Sequence, residues 1–148
     1  MRIFFGDGKG SFPRSTDPFD LPGANDPNKY PTYPYLVAAD VMVDGHLDLV
    51  AFARPLAGGP NPILTLAGNG RGGFVAKVSA VSDESSIYGL AAGDLDEDGR
   101  LDLAILRSGT GDGAVQIALG RWDGTFVESP SPVWPGGNSP AQGLWITD

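Results

Sequence analysis

"AAGDLDEDGRLDLAIL", residues 91–106, sets four aspartates inside nine residues and then runs straight into apolar sequence. Carboxylates this close repel one another. A turn that keeps Asp94, Asp96, Asp98 and Asp102 calls for positive charge among them. Oxygens at the first, third, fifth and ninth positions, with the main-chain carbonyl of Arg100 at the seventh, wrap a hard cation. Gly99 follows the third carboxylate, where the backbone must bend sharply and a residue without Cβ does so cheaply. Ca2+ takes about six to eight oxygens in irregular geometry and suits this set better than Mg2+, which holds its water and demands an octahedron. An EF-hand loop opens in the same way but needs a bidentate Glu at its twelfth position, where this chain has Ile105, and the flanks here read as strands. The plain alternative, a soluble Asp/Gly turn, leaves the crowded charge uncompensated.

The stretch is one copy of a repeat. "LVAADVMVDGHLDLVAFA" (36–53) lies over "LAAGDLDEDGRLDLAILR" (90–107) without a gap, at an offset of 54. A second pattern follows each copy: "ILTLAGNGRGGF" ends at Phe74 and "QIALGRWDGTF" at Phe126, while "RIFFGDGKGSF" ends at Phe12. The closing "GLWITD" begins the first pattern again and puts Asp148 where Asp40 and Asp94 stand. The chain therefore reads as the tail of one unit, two whole units and the head of another.

Each whole unit reads as four strands. "YLVAA" or "YGLAAG" comes first, then the acidic turn, then "LDLVAF" or "LDLAIL". "ILTL" or "VQIAL" is third, and a Gly-rich turn leads to "GGFVAKV" or "GTFVES". Leu101, Leu103, Ala104, Ile105 and Leu106 are apolar on both faces rather than alternating, so that strand must be covered on both sides. Four-stranded units of roughly 40–60 residues stacked face to face describe a β-propeller. The expected fold is all-β, a propeller of four-stranded blades with two full blades and a partial blade at each end. The boundaries fall at 1–12 for the closing strands of a partial blade, 13–34 for a Pro-rich surface insert, 35–85 and 86–134 for the blades, and 135–148 for the first strand of a further blade.

These units resemble FG-GAP/VCBS repeats, the blades of integrin-α-like propellers. The resemblance is carried by Asp94-x-Asp96-x-Asp98-Gly99-x-x-Asp102-Leu103 followed by "LGRWDGTF" (119–126), and it covers nearly all the chain outside 13–34. It implies extracellular or cell-surface placement, with adhesion or glycan binding as the use. Two blades do not close a ring, since propellers have roughly 4–8. The expected partners are accordingly a glycan or an extracellular protein, together with further copies of this chain or the rest of a longer propeller.

The first acidic turn is thinner in ligands. "DVMVDGHLD" has Met42 at the third position, leaving Asp40, Asp44, Asp48 and the carbonyl of His46. His46, the single histidine, matches Arg100 in the repeat and reads as an exposed turn residue. Asp148 would open a third site whose remaining loop lies outside the sequence. Trp122, at the apex of a turn beside Arg121 and Asp123, is a candidate for stacking on a sugar ring or anchoring a protein. Tyr30, Tyr33 and Tyr35 in the Pro-rich stretch are candidates of the same kind, with packing or plain exposure as the alternative for all four.

Composition narrows the remaining classes. A net charge of −8, gathered in a few turns, disfavours nucleic acid, which needs clustered Lys and Arg. The absence of Cys removes disulfides and thiolate metal sites. No apolar segment approaches the roughly 18 residues that span a bilayer, and "MRIFFGDGKG" does not read as a signal peptide, so a secretion signal is not in this sequence. A lone His inside an acidic turn makes a Ser/His/Asp triad a poor reading, and "GNGRGG" (68–73) closes a hairpin rather than opening a helix that would bind phosphate. The chain is expected to be a non-enzymatic, calcium-stabilised binding or adhesion module. The alternatives are a structural subunit that assembles head to tail, or a propeller appended to a secreted hydrolase or lyase.

Overall fold

The computed structural model describes residues 2–17, 35–52, 62–79, 87–107, 114–130 and 146. Asp148, Tyr30 and Tyr33 lie outside the described residues, as do most of the Pro-rich stretch and most of 135–148.

The repeat folds as two antiparallel four-stranded sheets of identical topology. β1 (Phe4–Phe5) and β2 (Arg14–Ser15) form a short hairpin ahead of them. The first sheet takes β3 (Leu36–Ala39), β4 (Asp48–Phe52), β5 (Ile63–Gly68) and β6 (Phe74–Ser79) in sequence order. The second takes β7 (Ile87–Gly93), β8 (Asp102–Arg107), β9 (Ala114–Gly120) and β10 (Phe126–Glu128) in the same order. Both acidic turns join the first two strands of a sheet, entered from Ala39 paired with Asp48 and from Gly93 paired with Asp102. Both Gly-rich turns join the last two, closed by the pairs Gly68 with Phe74 and Gly120 with Phe126. The architecture is all-β and consistent with propeller blades; the described residues do not close a ring.

The doubly apolar strands are doubly covered. Every residue of β8 is buried, as are Val50, Ala51 and Phe52 of β4 and Ile63, Leu64 and Leu66 of β5. One core layer lies between the sheets, with Val41, Val50, Phe52 and Ile63 from the first facing Leu103, Ile105, Ala118 and Phe126 from the second. Burying a side chain of this size contributes about 1.5–3 kcal/mol relative to leaving it exposed. Polar contacts fix the same interface at its outer edge. Phe126 N donates to Ser79 Oγ at 2.9 Å, and the Lys77 ammonium donates to the Asp123 carbonyl. At the other edge β3 lies beside β7, and Ile146 lies against Gly93 of β7.

The β1–β2 hairpin packs Phe5 and Thr16 against Gly72 of the first sheet's Gly-rich turn. Its second strand falls at Arg14–Ser15, just after Pro13 and inside the stretch the sequence assigns to the insert. Proline has no amide to donate to a ladder.

Candidate metal centre

The β7–β8 turn is built by its own aspartates. Asp94 Oδ1 accepts from Asp98 N at 3.0 Å and Oδ2 from Gly99 N at 2.8 Å, which folds the loop back on its first residue. Asp98 Oδ1 accepts from Arg100 N at 2.9 Å. Gly99 sits at φ 84° and Glu97 at φ 60°, two left-handed residues that turn the chain tightly enough for these bonds. Asp102, the first residue of β8, is fully buried. Its Oδ2 accepts from Leu95 N at 2.9 Å and its Oδ1 from Gly120 N at 2.8 Å, so one carboxylate ties the acidic turn to the end of β9. Gly120 is required there because a Cβ would stand 2.1 Å from the Leu101 carbonyl oxygen.

Asp94, Asp96 and Asp102 bring one carboxylate oxygen each to within 4.8 Å of one another. Among the described residues this is the one acidic or His/Cys group close enough to share a metal ion. The donor chemistry fits a hard cation. Each ionised carboxylate offers about four lone-pair sites, so the amide bonds to Asp94 and Asp102 leave acceptor capacity over. Asp96 is exposed and accepts no hydrogen bond from the described residues. Asp98 is not in the trio: its second oxygen pairs with the Arg100 guanidinium.

The β3–β4 turn repeats the frame, with one further amide on its buried aspartate. Asp40 accepts from Asp44 N at 3.0 Å and Gly45 N at 2.9 Å, and Asp44 Oδ1 accepts from His46 N at 2.9 Å. Val43 and Gly45 take the left-handed places of Glu97 and Gly99, at φ 53° and 84°. Asp48 is fully buried and accepts from Val41 N, Met42 N and Gly68 N at 2.9, 3.1 and 2.7 Å. Among the described residues no such trio forms here. Met42 stands where Asp96 stands, and its sulfur lies 3.6 Å from Lys77 Nζ and close to the site of Gly124.

The seventh-position side chains do more than the sequence suggests. The His46 ring lies over Gly70, where an added Cβ would meet Cδ2 at 2.2 Å, and its Nδ1 is 3.2 Å from Asp44 Oδ1. The Arg100 Nε donates to Gly120 O at 3.0 Å, and its guanidinium carbon lies 5.6 Å from the ring centre of Trp122. Counting back from the closing phenylalanines, Trp122 occupies the place of Gly8 and Gly70. It is 59 % exposed, between exposed Arg121 and Asp123. The Asp123 carboxyl is held below the usual carboxylate range, first by the Thr125 hydroxyl at 2.6 Å and then by the Thr125 amide at 3.0 Å. Asp7 is lowered likewise by the amides of Lys9 and Ser11 in the first Gly-rich turn. Tyr35 is half-buried just ahead of β3, five residues before Asp40.

Residues 40–105, from the first aspartate of one acidic turn through most of β8, match an FG-GAP-like repeat. No curated protein matches the chain.

Proposed function

With an FG-GAP-like repeat over residues 40–105 as the premise, we propose that this protein is a calcium-stabilised, non-enzymatic binding module. It acts outside the cell or at its surface and presents loops to a glycan or to another protein. The observation that carries the reading is the Asp94, Asp96, Asp102 trio, with oxygens within 4.8 Å of one another. Calcium is the ion these donors suit: three hard oxygens in an irregular loop, with room for carbonyl and water ligands. Asp102 also holds β8 to the end of β9, so an ion at the trio braces the corner of the sheet and its binding free energy adds to folding. Trp122 supplies exposed aromatic surface at the same corner.

The test is a thermal melt in calcium and in chelator. Free calcium at a hundred times its dissociation constant stabilises a single-site protein by about 2.7 kcal/mol. The melting temperature should rise in calcium, rise less in magnesium, and lose its calcium response in Asp96→Ala. An identical melting temperature in calcium and in chelator overturns the reading.

A second reading, assembly with further copies or with the rest of a longer propeller, is favoured by Phe12. It is 65 % exposed, while Phe126 at the same place in the repeat is 4 % exposed against the sheet before it. A melting temperature that does not change with chain concentration counts against assembly between copies.

A further inference from the structure

Arg100 has three attachments. Its guanidinium pairs with Asp98, its Nε is bonded to the Gly120 carbonyl, and the group lies over the Trp122 ring. Both Asp98 and Arg100 keep some solvent access, with side chains 22 % and 29 % exposed, so neither is locked in the core. In the first sheet the matching residues are Asp44, His46 and Gly70, with Met42 in place of Asp96. The unit that has the third-position carboxylate is therefore also the unit that has the long cationic arm and the exposed indole.

Asp98 is the oxygen donor that the acidic motif offers at its fifth position, yet it faces Arg100 and stands outside the trio. One carboxylate does not fully serve a guanidinium and a divalent ion together. An ion held by Asp94, Asp96 and Asp102 attracts Asp98 and repels Arg100. Once Asp98 turns away, Arg100 keeps its bond to Gly120 and its remaining electron-rich neighbour is the indole face.

We infer that Arg100 couples cation occupancy of the 94–102 turn to Trp122. In the loaded turn Asp98 joins the ion and the guanidinium, already over the indole, loses its competing partner and covers that face more fully, so the aromatic face offered to a ligand is set by the metal. This inference rests on the calcium reading above. A cation–π contact at an exposed site corresponds to roughly a two- to fivefold change in the stacked population.

The experiment leaves Trp122 as the sole indole by replacing Trp134 and Trp145 with Phe in the full chain. Calcium is titrated with calorimetry and acrylamide quenching read on the same sample. Quenching of Trp122 is expected to fall as calcium loads, with the midpoint of the calorimetric isotherm. Arg100→Met, which keeps the main-chain carbonyl counted among the ligands, should still release heat on binding calcium and lose the change in quenching. Asp98→Asn should show the low quenching before calcium is added. Binding heat with unchanged quenching overturns the coupling and leaves the calcium reading standing; no heat and no change overturns both. If the double Phe variant does not fold, the same titration is read by fluorine NMR on the 5-fluorotryptophan-labelled chain. The Trp122 resonance is then identified by its loss in Trp122→Phe, and a resonance that does not move while heat is released has the same overturning meaning.

Discussion

The two acidic turns have one backbone and two outcomes. Asp40 and Asp94 each accept two amides of their own loop, Val43 and Glu97 each take a left-handed conformation, and Asp48 and Asp102 are each buried against the end of the third strand. The trio forms in the second turn, where position three is Asp96, and not in the first, where it is Met42. Five backbone amides and one guanidinium already offset the charge of the second turn. The shape of the motif is thus held by hydrogen bonds, and the acidic trio is an addition that one side chain supplies or withholds.

Removing the buried ninth-position aspartates separates shape from metal. Asp48→Ala strands the amides of Val41, Met42 and Gly68, at an expected cost of about 4 kcal/mol. Asp102→Ala strands two amides, at about 3 kcal/mol, and removes a member of the trio as well. Urea denaturation with calcium and with chelator should show the Asp48→Ala loss unchanged by calcium and the Asp102→Ala protein deaf to it. If Asp102→Ala still gains stability from calcium, the trio is not where the ion binds.

Restoring the missing carboxylate should make the turns alike. Met42→Asp is expected to raise the calorimetric calcium stoichiometry from one to two. The new site should be the weaker, because the Lys77 ammonium 3.6 Å from the Met42 sulfur competes for the added charge. A stoichiometry that stays at one would mean that position three is not what distinguishes the turns.

The smallest effect concerns the frame itself. Val43 is β-branched and sits at φ 53°, a conformation that costs a non-glycine residue of order 1–3 kcal/mol. Val43→Gly relieves that strain and gives back part of it as lost chain entropy, for a net gain of about 1 kcal/mol by urea midpoint. A loss would show that the Val43 side chain is needed where it stands.

The sequence makes the sheets legible because period and offset are global properties. The strand that reads apolar on both faces, 101–106, is β8 with one residue's difference at each end, and it is buried throughout. The two turns of each unit fall where the repeat puts them. Spacing does not say where a carboxylate points. Asp102 reads like any other member of an alternating set, yet its two oxygens are bonded to the amides of Leu95 and Gly120, a partner 18 residues away that no local pattern announces. Asp98 reads as a ligand because the motif is counted along the chain, while its pairing with Arg100 depends on a side chain folding back two residues. The position of Gly120 gives a signal that could be read: Gly68 and Gly120 recur at the same place, and each marks an approach of backbone to backbone too close for a Cβ.

The ties through Lys77 and Ser79 bear on how the molecule comes apart. The last strand of the first sheet supplies the groups that hold the closing turn of the second, so loosening β6 withdraws an anchor from its neighbour as well as a strand from its own sheet. Nearest-neighbour dependence of this kind couples the melting of adjoining units.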